Sequence, residues 1–147
     1  MWDAYNLRMK NYFESKYEDI SEPLKEFTVH LDGSMTEICE PKLLGVKKNG
    51  KWGWVNASDQ FVIPAIYDSG FVLCYDGVII LAKDGKYGGL YSSNYTNAFQ
   101  FKYKYLSYLK GGTYIVTNDS EKQALARPGD RLLTNFDYIG FLEDPFS

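Results

Sequence analysis

Three passages of this chain carry one pattern at one spacing. Val46-Lys47-Lys48-Asn49-Gly50-Lys51-Trp52-Gly53-Trp54-Val55 returns as Leu81-Ala82-Lys83-Asp84-Gly85-Lys86-Tyr87-Gly88-Gly89-Leu90. It returns again, much altered, as Val116-Thr117-Asn118-Asp119-Ser120-Glu121-Lys122-Gln123-Ala124-Leu125, and both steps are 35 residues. A fixed period of that size marks stacked supersecondary units, each too small to bury its own apolar face.

The local chemistry of each copy predicts a hairpin. Asn49-Gly50 accepts the positive backbone angles of a type I′ turn, so a strand ending at Lys48 returns over residues 51–55. Gly53, between two tryptophans, leaves room for a ring or a backbone to approach, the usual reason for glycine inside a strand. Asp84-Gly85 keeps the turn in the second copy, and Asp119-Ser120 keeps it only loosely, as an atypical terminal unit does. After each hairpin comes a further segment: Phe61-Val62-Ile63-Pro64-Ala65-Ile66-Tyr67-Asp68, then Tyr103-Lys104-Tyr105-Leu106, then Phe136-Asp137-Tyr138-Ile139. Its alternation of aromatic, polar and apolar residues predicts a short extra strand with inward rings. The fold class is mostly β (α+β), with an antiparallel body of three units over residues 42–147.

Residues 1–41 read differently. Trp2, Tyr5, Met9, Tyr12, Phe13, Tyr17 and Ile20 recur at three- and four-residue steps, which predicts an amphipathic helix ending at Ser21-Glu22-Pro23. The alternation in Phe27-Thr28-Val29-His30-Leu31, the Asp32-Gly33 turn pair and a return over residues 35–39 predict a hairpin leading into the body. Helix and hairpin are expected to pack on the repeats.

The repeated residues resemble the bacterial WG repeat family, named for its tryptophan-glycine pair. Its pattern of a lysine-rich strand, Gly-Lys-Trp-Gly, an aliphatic pair, Val-Ile-Pro and Tyr-Asp is matched nearly completely by residues 48–68. The second copy keeps Gly85-Lys86-Tyr87-Gly88 but has Asn97-Ala98-Phe99 where Val-Ile-Pro stood, and the third keeps mainly Phe136-Asp137. The resemblance spans residues 42–141 and leaves the first 41 unexplained. It implies a bacterial β-repeat scaffold, commonly without enzymatic role, and transfers no catalytic residue.

Chemistry is sparse. His30 is the only histidine and falls on the polar side of a strand, away from any cysteine, so a serine-histidine pair or a zinc site lacks its parts. Cys39 and Cys74 form no ligand spacing and read as small apolar residues of a reducing cytosol. The chain has no P-loop and no glycine-rich dinucleotide turn, and the Asp-Gly pairs lack a calcium loop's spaced oxygens. The expectation is a non-enzyme with no cofactor. No basic leader opens the chain and no stretch approaches ~18 apolar residues, which points to the cytoplasm rather than to export or a membrane span.

What remains is surface contact. Charge is segregated: residues 1–45 hold nine acids and five bases, residues 46–131 seven acids and eleven bases, and residues 132–147 three acids and no base. Acidic ends on a tyrosine-rich scaffold suit a basic protein partner, with aromatic anchors supplying the contact core. The reading is a protein-binding module, most concretely an immunity protein that neutralises a bacterial toxin, for example a basic nuclease. Its expected contact residues are Asp59, Tyr67, Asp68, Tyr75, Asp137, Tyr138, Glu143 and Asp144. The rival is a nucleic-acid or glycan-binding module using Lys102, Lys104, Lys110 and exposed tyrosines.

Overall fold

Tight turns set the architecture. Asn49 and Gly50 adopt φ 52° and 79°, Asp84 and Gly85 52° and 82°, the two positive angles that close a two-residue hairpin. Asp76-Gly77 (48°, 81°) and Gly111-Gly112 (59°, 74°) turn the same way. In the computed structural model, residues 4–136 are described apart from 24, 31, 33, 38–42 and 71.

Helix α1 (Ala4–Lys16) is followed by β1 (Asp19–Pro23), β2 (Lys25–Val29), β3 (Met35–Glu37), β4 (Leu44–Lys48) and β5 (Lys51–Val55). Then come β6 (Phe61–Tyr67), β7 (Leu73–Tyr75), β8 (Val78–Lys83), β9 (Lys86–Tyr91) and β10 (Asn97–Tyr103). The chain continues through β11 (Tyr105–Lys110), β12 (Thr113–Thr117), β13 (Gln123–Arg127) and β14 (Arg131–Leu132). These strands form three sheets, in the orders β1-β4-β5-β6, β10-β9-β8-β7-β2-β3 and β11-β12-β13-β14. The protein is therefore mostly β with an N-terminal helix.

Among the described residues every pairing is antiparallel except β2 on β7, where Lys25, Glu26 and Phe27 lie beside Leu73, Cys74 and Tyr75. Of the expected hairpin, Phe27, Thr28 and Val29 pair with Glu37, Thr36 and Met35 as β2–β3 and lengthen the middle sheet, while Leu31, Gly33, Ile38 and Cys39 lie outside the described residues.

Packing joins the layers in chain order. Phe13 of α1 lies with Leu44, Val46 and Val55 of the first sheet. Trp54, Ile63 and Tyr67 of that sheet meet Cys74, Ile79, Leu81 and Leu90 of the second. Val78, Ala98, Phe99 and Tyr103 meet Leu106, Tyr114, Val116, Ala124 and Ala126 of the third. The first and second sheets thus each bury two faces, which explains apolar runs such as residues 78–82.

Three expectations need correction. The helix ends at Lys16, not at residue 22, because the Glu18 N–H donates to the Lys47 carbonyl (3.0 Å) and Ile20 pairs with Val46. Ile20 still reaches the core beneath α1, but from a strand. Second, Tyr103-Lys104-Tyr105-Leu106 is not one short strand but the junction of two, with Tyr103 ending β10 and Tyr105 opening β11, since Lys104 leaves the ladder and the chain changes sheets there. Third, Asp119-Ser120 is no two-residue turn. Residues 118–122 form a longer loop between Thr117 and its partner Gln123, with Glu121 at φ 63°.

Candidate functional site

That longer loop repeats a design seen earlier in the chain. In residues 56–60 the Asn56 carboxamide oxygen accepts the N–H groups of Ser58 and Gln60, each at 3.0 Å, and Asp59 sits at φ 58°. In residues 118–122 Asn118 accepts from Ser120 and Lys122 at the same 3.0 Å. An Asn-x-Ser-acid sequence writes this loop, because asparagine caps amides two and four residues on while the acidic residue tolerates the left-handed region.

The first loop presents Asp59 to α1. Its carboxylate accepts the Tyr12 hydroxyl at 2.9 Å, the Tyr17 hydroxyl at 2.5 Å and the Lys16 ammonium. Burial pushes Asp59 up, but the bonds from Lys16, Tyr17 and Tyr12 outweigh it and hold the carboxyl below its ordinary value. Burial, then the Asp59 bond, pushes Tyr17 up to about 12. An open pocket of about 430 Å³ lies here, lined by Lys16, Tyr17, Glu18, Lys47, Lys48, Asn49, Asp59 and Phe61. Tyr17 meets Phe61 edge-on at 6.0 Å between centroids, and the Lys48 ammonium lies 5.7 Å from the Phe61 ring centre. Phe61 stays 38% exposed and Tyr12 50%.

Asp68 is also engaged within the fold. Its carboxylate accepts the Gly85 N–H at 2.9 Å and the Asp84 N–H at 3.1 Å, and it pairs with Lys51 at 2.9 Å. The Gly85 amide first, then Lys51, lowers its pKa. Tyr67 is 5% exposed and faces the core between the first two sheets, which removes it as a surface contact. Tyr75 is half-buried, stacked between Phe27 and Tyr108 at 5.6 Å from each. Asp137, Tyr138, Glu143 and Asp144 lie outside the described residues. Of the four that are described, only Asp59 stands at the pocket.

The rival surface divides along its strands. Tyr103 is buried and donates its hydroxyl to Asp130 at 2.6 Å, while Lys104 pairs with Glu121. Tyr105 is 48% exposed beneath the Lys104 ammonium. His30 bonds across its hairpin to the Thr36 hydroxyl at 2.6 Å. Cys74 is buried, and no group of three or more His, Cys, Asp or Glu side chains is placed to hold a metal among the described residues. No helix of the described residues is long and apolar enough to cross a membrane.

Sequence reasoning missed Tyr12, Lys16, Tyr17, Lys47, Lys48 and Phe61. One signal was available: Tyr17-Glu18 precedes the first hairpin as Tyr67-Asp68 precedes the second. Both acids do the same work. Glu18 N–H reaches the Lys47 carbonyl while its carboxylate accepts Gly50 N–H at 3.2 Å, and Asp68 N–H reaches the Ala82 carbonyl at 2.9 Å while its carboxylate accepts Gly85 N–H. Compared with family models, curated proteins and solved structures, the chain matches none of them.

Proposed function

We propose that this protein is a non-catalytic protein-binding module built on three WG-type β repeats, acting in the cytoplasm as an immunity protein that neutralises a bacterial toxin by direct contact. The observation that carries the reading is the open pocket at the end of α1. There Phe61 stays partly exposed with the Lys48 ammonium over its ring, and neither Lys47 nor Lys48 of the lining has an ion-pair partner among the described residues. Exposed aromatic rings fixed on such a scaffold make contact cores at low entropic cost.

The repeat reading is supported by contacts that recur at the period. Lys51 approaches Asp84 at 3.5 Å, and Lys86, 35 positions later, pairs with Asp119, 35 positions after Asp84. The Lys104 N–H donates to Thr117 as Asp68 donates to Ala82. The expectation of a basic partner loses two of its supports, since Asp59 and Asp68 carry internal ion pairs. The direct test is genetic and biochemical. Co-expression with the product of the neighbouring gene should rescue growth, and the two proteins should copurify; failure of both removes immunity as the function. Steep salt-dependent binding to single-stranded nucleic acid with no protein partner would favour the rival instead.

A further inference from the structure

A turn closes the outer edge of the middle sheet. The outer strand there is β10, and its Ala98 carbonyl and Gln100 N–H point not to β9 but to residues 129 and 130. The Gly129 N–H donates to the Ala98 carbonyl at 2.6 Å, and the Asp130 carboxylate accepts the Gln100 N–H at 3.1 Å through one oxygen and 3.3 Å through the other. A residue of a parallel strand facing Phe99 would make this same pair of bonds, one given to the carbonyl before and one taken from the N–H after. Gly129 supplies the first, and the Asp130 side chain stands in for the strand's carbonyl. Both residues are left-handed, at φ 94° and 57°, so the imitation ends after one residue. The Tyr103 hydroxyl, from the end of β10 itself, holds the carboxylate in place at 2.6 Å.

The first sheet closes the same position by another means. Ile63 lies opposite Trp54, and Phe99 lies opposite Gly89, 35 residues after Trp54, so Pro64 of β6 corresponds to Gln100. Proline has no N–H to give. Two successive outer strands thus withhold one donor through unrelated chemistry, and withholding it is what the two share.

We propose that Asp130 is an edge lock, which keeps β10 from pairing with β10 of a second copy of this chain. Symmetry selects the occupant. About a two-fold axis at Phe99, the Gln100 N–H of each copy meets the Ala98 carbonyl of the other, so the two groups that the turn engages are self-complementary in an antiparallel pair. Lys102 would then face Thr96, and no two lysines would meet. A seven-residue outer strand with its edge open is a template for such pairing. This inference is independent of the protein-binding reading.

The test uses the full chain, with backbone amide exchange followed by NMR at low concentration and mass by sedimentation as concentration rises. Asp130→Ala should speed exchange of the Gln100 N–H at least ~10-fold while the amides of β8 keep their protection, because only the local bond is lost. The same variant should self-associate beyond wild type, and the Gln100 N–H should become protected again as it does. Asp130→Asn, which keeps an acceptor oxygen, should lie close to wild type in both readings. Tyr103→Phe separates the lock from general weakening: it removes a buried bond to Asp130 but leaves the edge closed, so Gln100 should stay protected and the mass unchanged. Unchanged Gln100 exchange in Asp130→Ala, wild-type mass of that variant at the highest concentration, association in which Gln100 still exchanges fast, or equal association of Tyr103→Phe each overturns the proposal.

Discussion

The first two sheets run their hairpins on one plan and fill them in opposite ways. In the pairing of β4 with β5, Gly45 faces Trp54; in that of β8 with β9, Ile80 faces Gly89. The large side chain has crossed from the second strand of the hairpin to the first. Trp54 is fully buried, and a Cβ on Gly45 would stand 3.1 Å from its indole nitrogen. A Cβ on Gly89 would stand 2.8 Å from Val78, which with Phe99 occupies that space in the second sheet. The inner glycine of each motif behaves otherwise. Between Trp54↔Ile63 and Trp52↔Tyr67, two steps of β5 face four of β6, and β9 faces β10 in the same way between Gly89↔Phe99 and Tyr87↔Tyr103. The bulged strand folds down over Gly53 and Gly88, which is why neither carries a side chain. The aromatic residue is a requirement of volume that either strand can meet, and the inner glycine is a requirement of backbone position that nothing else meets.

The largest expected effect follows from volume. Trp54→Ala should cost about 3–5 kcal/mol, the range for emptying a fully buried aromatic site. The fall is read as a lower urea midpoint at constant slope. Trp52 is half-buried, its ring lying where a Cβ on Gly70 would fall, and Trp52→Ala should cost clearly less. Equal losses would break the distinction between the two rings.

Gly53→Ala comes next. A Cβ there would lie 2.7 Å from both the Ala65 nitrogen and the Ile63 oxygen, backbone atoms of the bulge that cannot swing aside. At Gly88 the nearest atom belongs to the half-buried Phe101 ring at 2.7 Å, with the Phe99 oxygen at 2.9 Å. Overpacking costs typically about 1–3 kcal/mol, so Gly53→Ala should reach the top of that range and Gly88→Ala the middle. The reverse order would show that the second bulge is the stiffer one.

Alkaline titration compares the ends of the molecule. Tyr17 at α1 is raised to about 12 by burial and then by Asp59, and Tyr103, before the third sheet, is raised by burial and then by Asp130. A folded pKa above the unfolded value of about 10 gives stability that is complete below pH ~10 and lost as pH rises through the folded value. Stability should therefore hold to pH ~10 and decline through about 12, with a delayed class of tyrosines seen in the ultraviolet titration. All tyrosines ionising together near their ordinary value in the folded protein would contradict it. On the acid side Asp59 and Asp68 are lowered, so their contribution is present above the ordinary carboxylate range and is lost as pH falls through their folded values.

What the sequence made legible was what single residues dictate to their neighbours. Asn49-Gly50 and Asp84-Gly85 announce turns because their backbone angles exclude most residues, and Gly53 announces a close approach for the same reason. Long-range pairing left no such trace. Nothing in residues 25–29 says that they will lie parallel to residues 73–75, since that register depends on a strand almost 50 residues away. The helix end was misplaced because Ile20 keeps helical spacing while serving the same core from a strand. Asp59 and Asp68 were read as surface acids because a sequence shows charge and not its partner; Lys16, Tyr12 and Tyr17 reach Asp59 only once α1 packs on the first sheet.

The smallest effects test the contacts that join one sheet to the next. Asp68 receives two backbone N–H groups and Lys51, whereas Asp119, 71% exposed, holds the Lys86 ammonium and no backbone N–H among the described residues. Asp68→Asn keeps one amide oxygen as acceptor but loses the charge and half the cradle, so a cost of about 1–2 kcal/mol is expected. Lys86→Met removes an exposed ion pair and should change stability by no more than ~0.5 kcal/mol, because solvent screening and side-chain entropy offset the attraction. A double-mutant cycle on Lys51 and Asp68 should give a coupling well above that between Lys86 and Asp119. Comparable couplings would mean that the exposed lysine-aspartate pairs, and not the carboxylate cradle on the next turn, fix the register between sheets.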